Sequence, residues 1–371
     1  MNKPGRIVRT PSGYSAFVPS PLPPRLEITW DLSRVLSEAD RAIGALSGSG
    51  HMLPDPEILI QPLIHREAVL SSRIEGTQAS LTDLVAYESA GTDSGDAHEV
   101  SNYVEALNYG LERLEKLPLS LRFIREVHEK LMRGVRGGDR APGEFRRIQN
   151  WIGPGGCTIA EATYVPPPVA EMHKALDALE KFFHASPALP PLVKAALVHY
   201  QFEAIHPFLD GNGRVGRLLV AFVLRVDGVL ESPLLYLSAF FERHRREYYQ
   251  LLLNVSNRGG WTEWIVFFLR GIAQQARDTG VRIRALIELR DKYRRSMSGA
   301  RNAGALQDAI DRLFVVPAIS VTSLAKRLNV SYPAAKSSIE KLVQAGIVWP
   351  TKQGRETWYF ADEIIRTVEA P

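Results

Sequence analysis

Apolar residues recur at helical spacing along most of this chain. The pattern is helical from Ser33 to about Leu46 and resumes over ILIQPLIHREAVLSSRIEG (58–76), where Leu63, Ala68, Leu70 and Ile74 are apolar; GSGHMLPDP (48–56) separates the two runs. LTDLVAYES (81–89) reads as a further helix, followed by helices at about 97–116 and 119–134. After the loop GVRGGDRAPG (134–143) comes GEFRRIQNWIGPGGCTIAEATYVPPP (143–168), in which Gly and Pro are too dense for helix. Long helical runs then cover about 169–185, 190–205, 213–227, 238–257 and 261–297. The first thirty residues are rich in Pro and Ser, show no periodicity, and read as an extended arm.

The last seventy residues change character. They read helix, helix, a tight turn at Asn329–Val330, helix, then two short strands around Gln353–Gly354, the order of a winged helix-turn-helix. Ser331 is placed to cap the recognition helix, Tyr332, Lys336 and Ser337 face a groove, and Lys352 and Arg355 sit on the wing. Residues 301–371 carry nine basic and seven acidic side chains, so DNA binding and protein docking or dimerisation both stay open. The fold class is mainly α.

Composition narrows the setting. With 371 residues, 45% hydrophobic and 23% charged, the chain has the balance of a globular protein of two or three domains. No apolar run is long enough for a membrane helix, and MNKPGRIVRTPSG lacks the apolar stretch of a secretory signal, so a cytoplasmic protein without membrane contact is expected. The single cysteine, Cys157, excludes an internal disulfide framework and a cysteine-based zinc site. The net charge of +4 permits anionic ligands. Part of it lies in RIRALIELRDKYRR (282–295), with six basic and two acidic residues, either a solvated linker-helix face or a phosphate contact.

The densest chemistry is HPFLDGNGRVGR (206–217), set between two helices. Pro207 ends the first helix, and the second begins near Gly213 to Arg214. Gly211 and Gly213 let the backbone curl so that amides of the new helix converge on an anion, a nest suited to a phosphate chain. Arg214 and Arg217, three apart, share a helix face and can reach one polyphosphate. Asp210 can hold a magnesium ion bridging phosphate oxygens. Asn212 suits one hydrogen bond, to a phosphate oxygen or within the loop. His206, on the opposite lip, can take a proton from an attacking hydroxyl. No G-x-x-x-x-G-K-[ST] occurs, so a Walker-type ATP site is not available.

This loop resembles the signature of the Fic family, HPFx(D/E)GNGRxxR, at every specified position, and the resemblance extends over roughly 60 to 275. It implies a Fic-type helical bundle with a short β-hairpin flap. It also implies transfer of AMP from ATP to a Ser, Thr or Tyr hydroxyl of a target protein. His206 would be the base, Asp210 the Mg²⁺ ligand, Gly211, Asn212, Gly213 and Arg214 the holders of the α- and β-phosphates, and Arg217 the partner of the γ-phosphate. SSRIEGT (71–77) resembles the (S/T)xxxE(G/N) inhibitory motif found with many Fic domains. Ser71 and Glu75 would then form the brake, with Glu75 pairing with Arg217. QNWIGPGGCTIAEATYVPPP (149–168) resembles the flap that docks the target segment, which puts Glu161, Ala162, Thr163 and Tyr164 nearest nucleotide and target. FFERHRREYYQLLLNVSNRGG (240–260) resembles the adenosine side, through Tyr248, Tyr249 and Asn257.

The expected organisation is an N-terminal arm and helical region with the inhibitory helix (1–115), a catalytic core (116–275), a linker helix (276–300) and a winged helix (301–371), with a homodimer left open. Two rival activities stay in view: removal of AMP from a modified protein, and a DNA-binding regulator whose loop only senses nucleotide.

Overall fold

The computed structural model describes residues 3–51, 56–91, 95–135, 141–185, 189–300, 302–353 and 356–370. Two strands, β1 (Gly5–Arg9) and β2 (Ser15–Pro19), precede five helices: α1 (Trp30–His51), α2 (Pro56–Ile74), α3 (Leu81–Ala90), α4 (Asp96–Arg113) and α5 (Leu121–Leu131). After a single 3-10 turn at Ile159–Glu161 come α6 (Val169–His184), α7 (Pro191–Ile205), α8 (Asn212–Val226), α9 (Ser238–Arg243), α10 (Arg245–Arg258) and α11 (Trp261–Ser296). The chain ends with α12 (Ala303–Val315), β3 (Ala318–Ser320), α13 (Val321–Leu328), α14 (Tyr332–Gln344), β4 (Trp349–Gln353), β5 (Glu356–Phe360) and α15 (Asp362–Glu369). The protein is mainly helical. Among the described residues, no helix is long and apolar enough to cross a membrane.

The chain divides into two compact units. The first comprises residues 1–44, 102–231 and 235–275, and α7 is its central helix. Thirteen of the fifteen α7 residues are buried, so the helix is covered on every side rather than along one stripe. Helices α6, α8 and α10 pack around it. Contact with α8 is close because Gly216 has no side chain: a Cβ there would run into the Glu203 carboxylate of α7. The buried Lys194 is satisfied by Asp227 Oδ1 at 2.7 Å and by the Phe183 carbonyl at 3.3 Å.

The N-terminal residues are not a featureless arm. They form an antiparallel hairpin with Gly5 opposite Pro19 and Arg9 opposite Ser15. Ala16, Phe17 and Val18 of β2 are buried, and the Phe17 N–H donates to the Val165 carbonyl at 2.9 Å. The run expected as one helix over 238–257 is two. His244, at φ −109° and ψ 31°, leaves helical geometry between α9 and α10, while the bonds His244 N–H to Phe240 O and Tyr248 N–H to His244 O continue across it.

The second unit comprises residues 45–101, 232–234 and 276–371. Helix α2, which carries the SSRIEGT segment, packs in it against α12, α15 and α3. The order from α12 onward is helix, strand, helix, helix, hairpin, and the three strands form one antiparallel sheet in the order β3-β5-β4. Ser331 Oγ accepts the Ala334 N–H at the start of α14, while Arg355 and the Gly354 turn lie outside the described residues. Tyr332 and Lys336 are exposed on α14.

The basic run 282–295 is less solvated than its composition suggests. Arg290 and Arg294 both pair with Asp311, at 2.7 and 2.9 Å, and Lys292 pairs with Glu363 at 2.8 Å. Arg282 is buried and donates to the carbonyls of Val368 and Ala370.

Candidate active site

The loop 206–211 joins α7 to α8 in the first unit. Proline at 207 disfavours helical geometry in the residue before it, and His206 caps α7 in the left-handed conformation, φ 49° and ψ 61°. Such a conformation is uncommon for a residue with a side chain and persists only where the surroundings enforce it. Here they do. Its carbonyl accepts hydrogen bonds from Arg146 Nε at 3.0 Å and Asn150 Nδ2 at 3.3 Å. Arg146 also donates from its backbone N–H to the Pro207 carbonyl at 2.9 Å, and from its guanidinium to Ile148 O at 3.2 Å and Pro167 O at 2.5 Å. Burial lowers the pKa of this guanidinium to about 10. Its guanidinium hydrogen bonds run to backbone carbonyls, so it works as a clamp rather than as half of an ion pair.

The middle of the loop is held from the other side by α5. His128 stacks on Phe208 with 3.7 Å between ring centroids and 3° between planes. The His128 Nδ1 accepts the Gly143 N–H at 2.9 Å, which leaves Nε2 as the protonated nitrogen facing the Asp210 carbonyl at 3.1 Å. Burial pushes its pKa down to about 4, which keeps this tautomer neutral. Sequence reasoning missed His128, Arg146 and Asn150. Their bonds to the loop span 56 to 82 positions, and no local motif marks them.

At the start of α8, Gly211 takes φ 75°, and a Cβ there would sit 2.9 Å from Met132 Sδ. Both reasons require glycine. Helix geometry leaves the first N–H groups, those of Asn212 and Gly213, without carbonyl partners inside the helix. Of the two roles open to the Asn212 side chain, it takes the one within the loop. Its Oδ1 accepts the Phe208 N–H and its Nδ2 donates to the Phe208 carbonyl, both at 2.8 Å. Only the Asn212 backbone is left for a phosphate. Arg214 and Arg217 are both buried, one turn apart on α8. Arg214 Nη2 lies 3.5 Å from Met132 Sδ and 3.8 Å from Asp210 Oδ1.

Asp210 is the one metal ligand expected from sequence. Its Oδ1 accepts the Gly211 N–H at 2.7 Å, and its side chain is 38% exposed. Among the described residues no group of three or more His, Cys, Asp or Glu side chains forms a protein-only metal site. A single half-exposed carboxylate fits magnesium that takes its other ligands from phosphates and water.

The expected flap is closed by one antiparallel bridge, Ile152 with Tyr164, rather than by longer strands. Glu161 bends back to accept from Thr158 N–H and Oγ1, both at 2.9 Å, and the backbone bond comes first among the causes lowering its pKa. Ala162 follows on the same turn and Thr163 is exposed. The Tyr164 hydroxyl donates to the Ala204 carbonyl of α7 at 2.7 Å, which ties the flap to the helix before His206.

In the segment expected to face adenosine, Tyr248 is only 1% exposed. Its hydroxyl bonds to His199 Nε2 at 2.8 Å, while His199 Nδ1 bonds to the Gly216 carbonyl at 2.9 Å. Tyr248 therefore belongs to the core behind α8, and its ring face is spent on Phe241, 4.5 Å away. Tyr249 is 42% exposed, and Asn257 is exposed near the end of α10. In the second unit, Ser71 is buried in α2 and Glu75 is exposed just beyond its end. Gly76 at φ 103° completes the turn that stops this helix.

These features agree with the family comparisons. The Fic/DOC family N-terminal model matches residues 33–112, and the Fic/DOC family model matches residues 118–224, which includes the whole loop. The chain belongs to the Fic/DOC family. Among curated relatives, the protein adenylyltransferase Fic of Drosophila grimshawi is 30% identical over 156 residues, 42% of this chain and 29% of that protein. The one from Drosophila melanogaster is 28% identical over the same length, 42% of this chain and 28% of that protein. The chain thus spans under a third of the length of these relatives. A Fic family protein from Desulfovibrio desulfuricans G20 superposes with a TM-score of 0.59 at 20% identity, covering 91% of this chain and 98% of that one. Fic-1 from C. elegans gives 0.53 at 20% identity, covering 70% and 74%. Both share the Fic fold.

Proposed function

We propose that the chain is a protein adenylyltransferase, moving AMP from ATP to a Ser, Thr or Tyr hydroxyl of a target protein, and that Glu75 restrains it by competing for Arg217. The observation that carries this reading is the loop itself. One clamped segment sets a histidine at the end of α7 and, five residues on, the N-terminal cap of a helix with two buried arginines in its first two turns.

In this reading His206 removes the proton from the target hydroxyl as its oxygen attacks the α-phosphorus of ATP. A new P–O bond forms, the bond to the bridging oxygen breaks, and diphosphate leaves. Backbone N–H groups of Asn212 and Gly213 meet the charge on the phosphate oxygens, and Arg214 and Arg217 meet it along the leaving group. Asp210 would hold magnesium, which when bound supplies further positive charge to the phosphates. Tyr249, the exposed ring of its pair, is the residue suited to the adenosine. The flap would receive the target segment by strand addition next to Ile152 and Tyr164. The elements from α12 to β5 are read as a winged helix.

The test is mass spectrometry of the Glu75→Gly protein incubated with mixed nucleotides and a cell lysate. AMP adducts on hydroxyl side chains are expected. Adducts of another nucleotide, or release of AMP from a pre-labelled protein without any adduct formation, would replace this reading.

A further inference from the structure

The second unit contains a cavity of about 460 Å³, within the size range of small-molecule sites. It is bounded by residues of α3, α12, β3, α13 and β5. Its charged lining is unbalanced. Arg312, Lys326 and Arg327 face a single carboxylate, Glu88, leaving two positive charges in excess. Glu88 is itself engaged, since its Oε2 lies 3.3 Å from Nε2 of the buried His65 on α2. Among the described residues, no carboxylate comes within ion-pairing distance of Arg312, Lys326 or Arg327.

Such an arrangement attracts an anion, with Arg312 partly buried and Lys326 and Arg327 exposed. Arg312 is half-buried, and burial followed by repulsion from Arg327 lowers its pKa. Like charges around one concavity repel one another, and a bound anion offsets that repulsion. Apart from Ser89 and Ser323, the rest of the lining is apolar. Leu324 and Trp358 are buried side chains that line it and give it an apolar wall. A bare inorganic ion would leave that surface in contact with water, whereas a ligand with a carbon body would cover it.

We propose that this cavity is a binding site for a small amphipathic anion, a phosphate monoester or carboxylate joined to an aromatic body, held by Arg312, Lys326 and Arg327 and packed against the apolar wall that includes Leu324 and Trp358. The site is separate from the nucleotide loop, all its lining residues being in the second unit. Because Glu88 also touches His65, occupancy reaches helix α2 through one side chain.

The test is calorimetric titration of the full chain with 1-naphthyl phosphate, 1-naphthoate and neutral 1-naphthol. One-to-one binding of at least one of the two anions is expected, and no binding of naphthol. Which anion binds decides between phosphate and carboxylate. Arg327→Gln, at an exposed position that does not threaten folding, should weaken binding about 10-fold, as loss of a charge-assisted contact does. Arg312→Gln should weaken it further, Lys336→Gln should leave it unchanged, and excess ATP should not displace the ligand. The inference is overturned by any of four results: neither anion binds at millimolar concentration, naphthol binds equally well, both arginine variants keep wild-type affinity, or ATP competes. It also fails if Arg327→Gln abolishes salt-sensitive retention of duplex DNA while naphthyl phosphate binding is untouched.

Discussion

The imidazole of His128 lies parallel to the Phe208 ring at 3.7 Å, and its protonated Nε2 faces the Asp210 carbonyl at 3.1 Å. One buried side chain thus fixes both the apolar anchor of the loop and the backbone of its only carboxylate. His128→Ala removes the stack and two hydrogen bonds, one of them buried, and leaves a cavity. It should cost about 3 kcal/mol of stability. Thermal denaturation with and without ATP would measure this, and the variant should also lose the ATP-dependent rise in melting temperature.

Arg146 should be equally intolerant of its conservative replacement. Lysine keeps the charge but cannot reach three carbonyls in different directions as the guanidinium does. Arg146→Lys should destabilise the protein by about 2 kcal/mol, in line with buried partners left unsatisfied. Chemical denaturation would detect it as a shift in midpoint with an unchanged slope.

His199 sets an acid limit on stability. Burial first, then the Arg217 charge, lower its pKa to about 4 against a usual 6.5. The unfolded chain therefore binds a proton that the folded chain refuses between these values. Its contribution is present above about pH 6.5 and is lost as pH falls toward 4, by up to about 3 kcal/mol. Denaturation midpoints measured across this window should fall less steeply in His199→Gln than in the wild type.

Tyr248 and Tyr249 should separate by phenotype. Tyr248→Phe leaves His199 Nε2 without its partner and should cost about 1 kcal/mol of stability, with ATP affinity unchanged. Tyr249→Ala should leave the melting temperature unchanged and raise the KM for ATP several-fold. Equal effects of the two substitutions on KM would place both rings against the nucleotide.

Much of the site was legible because it is contiguous. The helix-ending Pro207, the two glycines and the two arginines fall within twelve residues, and the chemistry of each type follows from its neighbours. What was not legible depends on partners far away in the chain. Tyr248 reads as an adenosine contact by resemblance until His199, 49 positions earlier, is found against its hydroxyl. The N-terminal hairpin was missed because β1 exposes Ile7 and carries Arg6 and Arg9, so it lacks the alternation of a half-buried strand. The cations of 282–295 read as a solvated face or a phosphate contact until Asp311 and Glu363 are placed beside them. Asn212 had two roles compatible with its chemistry, and only the position of the Phe208 backbone selects between them.

Incorporation of label from α-labelled ATP tests the central claim most directly, comparing the wild type, Glu75→Gly, and Glu75→Gly combined with His206→Ala. The account predicts that Glu75→Gly labels protein at least about 10-fold faster than the wild type, a shift of about 1.4 kcal/mol in favour of the productive state, and that adding His206→Ala abolishes the signal. Equal labelling by Glu75→Gly and wild type, or labelling that survives loss of His206, would contradict it.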